Sequence, residues 1–164
     1  KAQVLGTRLK DINPALDLTV LEIFIKEELT RDLLDSTQWD YVVDCIDTLS
    51  AKVDLIKGCI DRKLNIVSSM GAGGKQDPSQ IRVTDLSKTY ECNLARYVRK
   101  RLQALGIKKG LKVVFSSEKP DQSRIIETEN AYPKKSIIGT LSYMPAIFGC
   151  TVASVVIRDL MAID

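Results

Sequence analysis

The chain contains no histidine. That removes the usual general base near neutral pH and the commonest metal ligand. Its four cysteines, Cys45, Cys59, Cys92 and Cys150, form no C-x-x-C pair, so a structural zinc site is not expected. Their wide spacing reads as free thiols in a reducing compartment. Nowhere is there the unbroken run of about eighteen apolar residues that a membrane span needs. The longest apolar stretch, MPAIFGCTVASVVI at 144–157, has the length of a buried core helix. The G-x-G-x-x-G and G-x-x-x-x-G-K-[ST] spacings of phosphate loops are absent as well. No strong charge imbalance exists either: a net charge of +3 says little about partners.

What is present is an ordinary globular composition, 45% apolar and 27% charged, over 164 residues. This suffices for one domain with a proper core. Apolar residues Val4, Leu5, Leu9 and Ile12 fall near helical spacing before Asn13-Pro14. LDLTVLEI alternates through Leu16, Leu18 and Val20 to Ile23, which predicts a strand. KEELTRDLLDSTQ predicts a short amphipathic helix, and the β-branched run at 41–46 another strand. A helix with Val53, Ile56 and Ile60 on one face follows, then the strand NIVSSM. Alternation of this kind argues for a parallel sheet with crossover helices, a doubly wound Rossmann-like α/β fold. The pattern opens on a helix, so the sheet is expected to be incomplete at its amino terminus. Beyond residue 75, QIRVTDL and LKVVFSS predict strands. Between them, NLARYVRKRLQALG predicts a helix with Leu94, Val98, Leu102 and Leu105 inward and Gly106 as its cap. EKPDQSRIIETENAYPKKS predicts a long surface loop, and a final helix begins near Pro145.

Three places could carry chemistry. Asp44 and Asp47 of VVDCID stand at the carboxyl end of a strand, where open α/β sheets bind ligands. A carboxylate there can hold Mg²⁺; Asp47 can equally cap the helix that begins near Leu49. The glycine turn SSMGAGGKQDP leads into a turn and a strand rather than a helix, so no helix N-terminus faces an anion. Gly71, Gly73 and Gly74 either let the backbone bend beside a bound substrate or form a plain tight turn. Finally, no acid occurs from Cys92 to Ser117, while Arg96, Arg99 and Lys100 share one helix face. Such a face is either simply solvated or suited to a phosphate backbone.

Taken together, KAQVLGTRLKDINP, DYVVDCIDTL, SSMGAGGKQDPSQIRVTDLSKT, VVFSSEKP and GTLSYMPAIFG resemble the ThiF-type superfamily of ubiquitin-activating-like adenylating enzymes. Within it the tRNA threonylcarbamoyladenosine dehydratase family is the nearest match. GAGG…DP-[ST]-x-I-x-V-x-D and VVFSxEKP distinguish that branch. The resemblance covers nearly all 164 residues.

The resemblance implies a Rossmann-like domain that binds ATP and Mg²⁺ and transfers AMP to the carboxylate of a threonylcarbamoyl group on tRNA, which then cyclises with loss of water. It places Lys1 against the ATP phosphates, Asp47 with Mg²⁺, Asp44 beside the nucleotide or in support of the strand end, and Gly71, Gly73 and Gly74 on the substrate side. Arg96, Arg99 and Lys100 then become tRNA contacts. Relatives imply a homodimer, a sulfur-transfer protein as a further partner, and a cytoplasmic location, or a mitochondrial outer membrane where an amino-terminal anchor precedes the domain. The superfamily's glycine-rich nucleotide loop is not in this sequence. Residues 1–164 are therefore expected to be the carboxyl-terminal part of one adenylating domain, inactive and without appreciable ATP binding when alone. ECNL replaces a common Asp-Pro-Leu and puts Cys92 where ubiquitin-activating relatives carry a nucleophile. The dehydratase route needs no thioester. Two other readings stay open: an adenylyltransferase for a sulfur-carrier or ubiquitin-like protein, and a non-catalytic tRNA-binding module.

Overall fold

The structure, a computed structural model, describes residues 1–25, 27–120, 125–127 and 136–162. In chain order its elements are α1 (Ala2–Ile12), α2 (Glu27–Asp35), β1 (Val42–Asp44), α3 (Leu49–Asp61), β2 (Ile66–Ser69) and β3 (Ile81–Asp85). There follow α4 (Asn93–Ala104), β4 (Lys112–Ser116), β5 (Ile125–Glu127), β6 (Ser136–Ile138) and α5 (Tyr143–Leu160). Four strands form one sheet in the order β1-β2-β4-β3. β1, β2 and β4 run parallel, and β3 runs antiparallel to β4. This is the α/β, mostly parallel arrangement that the alternation predicts.

The strand β4 shows why three layers form. Its apolar run is buried on both faces, as a central strand requires. Val113 and Phe115 face one side, with Val53 and Ile56 of α3 and Val98 and Leu102 of α4. Val114 faces the other with Val67 of β2, under Met144, Phe148, Val152 and Val155 of α5. The i, i+4, i+8, i+11 spacing on α5 is one helical stripe. α2 packs on α3 through Leu34 against Leu55 and Cys59. α4 ends as expected: Gly106 takes φ +83°, its N–H bonds Gln103 O, and the Ile107 N–H bonds Leu102 O.

Four expectations are corrected. Residues 16–25 form no strand; the alternating side chains have no neighbouring strand to pair with. Val20 and Leu18 instead pack over Gly6 of α1, leaving Leu21, Ile23 and Phe24 exposed. Leu105 lies beyond the last turn of α4 and is exposed rather than inward. Part of the expected loop is paired, because β5 and β6 form a two-stranded antiparallel ladder; the remainder of 121–135 lies outside the described residues. The apolar 144–157 stretch is not a buried core helix. α5 buries only one face, and by length and composition it is a helix that could cross a membrane.

α5 is also pinned at its far end. Asp159 accepts hydrogen bonds from Lys112 Nζ at 2.6 and 2.7 Å and from the Tyr41 hydroxyl at 2.6 Å. The Lys112 ammonium and the Tyr41 hydroxyl hold its carboxyl below the ordinary carboxylate range. A lowered acid pKa stabilises the fold above the ordinary range, and this is lost as pH falls through the lowered value. Asp159→Asn is therefore expected to lower stability at pH 7 by a few tenths to about 1 kcal/mol, given the partial exposure of the pair. In urea unfolding the difference from wild type should shrink as pH falls through the lowered value.

Candidate functional site

The parallel strands β1 and β2 end side by side, Asp44 in register with Ser68. Beyond them opens a cleft of about 710 Å³. It is lined by Cys45, Asp47 and Thr48 after β1, by Met70, Gly71, Ala72 and Gly73 after β2, and by Leu94 and Tyr97 of α4 and Phe148 of α5. The site thus lies outside the carboxyl ends of the strands, as the topology requires.

The structure separates the two aspartates. Asp44 is fully buried and bonded to Lys52 Nζ at 2.6 Å, to the Ser68 hydroxyl at 2.5 Å and to the Ile46 N–H at 2.9 Å. Its oxygens are occupied from within, and it is not among the cleft-lining residues. Its geometry is that of a strand-end support. Asp47 is exposed in the cleft, with the Thr48 hydroxyl 3.4 Å from one oxygen. The N-cap of α3 falls to Thr48, not Asp47.

The glycine turn is set from below. Gly71 and Gly73 line the cleft, whereas Gly74 is buried at φ +71°, and its N–H bonds Gly139 O at 2.9 Å. That left-handed step, which glycine takes most readily, turns the chain so that Lys75 enters the interior. Lys75 is 1% exposed. Its ammonium donates to the carbonyls of Glu91 (2.7 Å), Ser116 (3.3 Å) and Glu118. Burial is the largest influence on its pKa and lowers it. In return, a Glu118 carboxylate oxygen accepts the N–H groups of Gln76 and Asp77 at 2.8 and 2.9 Å. The Tyr143 hydroxyl donates to Gln76 O at 2.8 Å, tying in the start of α5. GAGGKQDP and VVFSSEKP are therefore two halves of one hydrogen-bonded knot.

Sequence reasoning passed over both buried lysines. For Lys52 a signal existed: with Ile56 and Cys59 it lies at i, i+4, i+7 on the buried stripe of α3. For Lys75 no period marks the burial.

Other expected site residues lie elsewhere. Lys1 is exposed at the N-cap of α1 and is not among the described residues lining the cleft. The basic face of α4 is divided. Arg96 and Lys100 are exposed, but Arg99 donates to Leu86 O, Thr89 O and the Thr89 hydroxyl, at 3.3, 2.9 and 2.5 Å. It holds the loop before α4 in place. Cys92 is buried, with its sulfur packed beneath Gly71; it does not present a nucleophile. Among the described residues no group of three acidic or cysteine side chains could hold a metal alone.

This fold and the placement of its cleft define a ThiF-type domain, and the chain belongs to the ThiF family, whose model matches residues 1–163. Within that family it is similar to tRNA threonylcarbamoyladenosine dehydratases. The Bacillus subtilis dehydratase is 34% identical over 168 residues, covering 98% of this chain and 66% of that protein. The crystal structure of the Escherichia coli dehydratase TcdA superposes with a TM-score of 0.84 at 34% identity, over 99% of this chain and 64% of that one. Its complex with ATP gives a TM-score of 0.83 at 33% identity, over 98% and 63%. The chain thus spans just under two thirds of the length of these relatives.

The Asp44–Lys52 pair should be strongly coupled. Lys52→Met leaves a buried carboxylate unpaired and is expected to cost about 3–5 kcal/mol in denaturant unfolding. Adding Asp44→Asn, which keeps a side-chain oxygen for the Ile46 N–H, should recover more than about 1 kcal/mol of that loss. Simply additive losses would contradict the coupling.

Proposed function

We propose that this chain takes part in the ATP-dependent dehydration of threonylcarbamoyladenosine in tRNA, a cyclisation through an adenylated carboxylate. The observation that carries the reading is the cleft. It combines a solvent-facing carboxylate, Asp47, with a wall of glycine and alanine main chain, at the strand ends where ThiF-type domains are built to bind ligands. The similarity to dehydratases, one of them solved with ATP, supports the choice of substrate.

Asp47 fits the part of an ATP–Mg²⁺ site that a carboxylate supplies. Mg²⁺ takes one or two carboxylates and completes its shell with water and phosphate oxygens, so a single exposed Asp47 suffices and no acidic cage is needed. ATP bound there supplies the adenylyl group that converts a carboxylate, whose leaving group would be oxide, into one that leaves as AMP. Asp47 would hold the cation. Gly71 and Gly73, with no Cβ to stand in the way, let the substrate's side group approach the main chain. Asp44, fixed by Lys52 and Ser68, keeps the end of β1 rigid so that Asp47 is presented in one place. Holding the side group in a folded conformation brings its attacking nitrogen to its own activated carboxyl, an intramolecular advantage.

Asp47→Asn in the full-length protein is expected to reduce AMP formation about 100-fold or more, the scale of losing a preorganised electrostatic partner. Its melting temperature should be unchanged, because the side chain is exposed. AMP formation at the wild-type rate would remove Asp47 from the reaction.

A further inference from the structure

The division of the basic face on α4 leaves a strip of different composition. Tyr97 is 49% exposed and lines the cleft. Arg96 lies against it, with the guanidinium carbon 4.8 Å from the ring centroid and Nη2 3.2 Å from the Tyr97 hydroxyl. Arg96 also lines a smaller cavity of about 220 Å³, together with Tyr90, Glu91, Asn93, Arg99 and Lys119. Tyr90 is 58% exposed, and its ring stands edge-on to the buried Phe115, centroids 5.6 Å apart at 75°. Cleft and cavity thus meet at Arg96 and together present two exposed rings, Tyr97 and Tyr90, and two exposed cations, Arg96 and Lys119.

Three parts of this strip are fixed in advance. Phe115 orients Tyr90. Arg96 is braced on Tyr97. Arg99, bonded to the 86–89 loop, serves as scaffold beneath. A duplex presents only phosphates to such a surface, and a row of cations alone would serve it. Exposed rings interleaved with cations fit a single strand, whose splayed bases stack on aromatic faces while its phosphates take the charges. Among the described residues lining the smaller cavity, Glu91 is the one carboxylate, so the strip is not an indiscriminate anion surface.

We propose that this strip seats the unpaired RNA flanking the reacting adenosine. Tyr97 stacks the nucleoside at the cleft mouth, Arg96 and Lys119 take adjoining phosphates, and Tyr90 stacks a neighbouring base. The proposal rests on the reading of the cleft as the site of tRNA chemistry.

The test uses the full-length protein and two fluorescent RNAs: an anticodon stem-loop with an unpaired loop, and a blunt duplex of equal length. Tyr97→Ala should weaken stem-loop binding about 5- to 150-fold, the worth of one stacked base, while Tyr97→Phe, which keeps the ring, restores it. Duplex binding should fall less than twofold in either variant. Arg96→Gln with Lys119→Gln should reduce the slope of log K against log salt for the stem-loop by about 1.4, at about 0.7 per phosphate contact. Stem-loop affinity within twofold of wild type in Tyr97→Ala, or equal losses on stem-loop and duplex, overturns the proposal. ATP consumption by the wild type is measured separately. ATP turnover with stem-loop binding indifferent to these variants sinks the strip alone. Selective stem-loop binding without ATP turnover sinks the reading of the cleft alone.

Discussion

A lysine ammonium buried among main-chain carbonyls is the constraint on which the rest of the site depends. Lys75 carries a charge into the interior, and a buried charge is tolerated only when its hydrogen-bonding capacity is met. Here it is met by carbonyls from two stretches of chain: the approach to α4 at Glu91, and the end of β4 with the turn just after it, at Ser116 and Glu118. Each of those stretches must therefore stand where the ammonium can reach it. The left-handed Gly74 is the local condition for this arrangement, and the Glu118 carboxylate, bonded to the two N–H groups after Lys75, closes it from the other side.

The second buried lysine does the same for the opposite wall. Lys52 reaches from α3 to Asp44 and so fixes the end of β1 from which Asp47 projects. The cleft is thus framed by two interior cations, one set by a carboxylate and one by carbonyls. The residues able to meet a ligand, Asp47, Gly71, Gly73 and Tyr97, carry little of the core packing. This is a common division of labour: rigid support beneath, exposed chemistry above. It also explains why α4 shows two kinds of arginine. Arg99 belongs to the support, and Arg96, one turn nearer the amino terminus, remains on the surface.

Much of this was legible in the sequence because the relevant signals are periodic. The stripe on α3, the doubly buried run of β4 and the Gly106 cap follow from local spacing, and so does the placing of Asp47 at a strand end. The 16–23 segment misled because alternation reports a face, not a neighbour: without an adjacent strand the same side chains only cover Gly6. Arg99 misled for the converse reason, since helical spacing cannot tell that its guanidinium turns back onto the loop at Thr89. Lys75 is read as a surface residue by composition alone, and its partners are main-chain atoms that carry no sequence signature. The motifs around it were visible; that they are one hydrogen-bonded unit was not.

Lys75 holds the cleft wall locally rather than the fold as a whole. Amide hydrogen exchange of Lys75→Met against wild type tests it directly. Losing the ammonium leaves buried carbonyls unpartnered, at about 1–3 kcal/mol each, and the strain should be relieved where the knot can open. The Gly74, Gln76 and Asp77 amides should exchange about 10-fold faster or more, while the core amides of α3 at Ile56 and Cys59 keep their protection. Unchanged exchange at Gln76 and Asp77, or an equal acceleration across α3 and the turn, would contradict it.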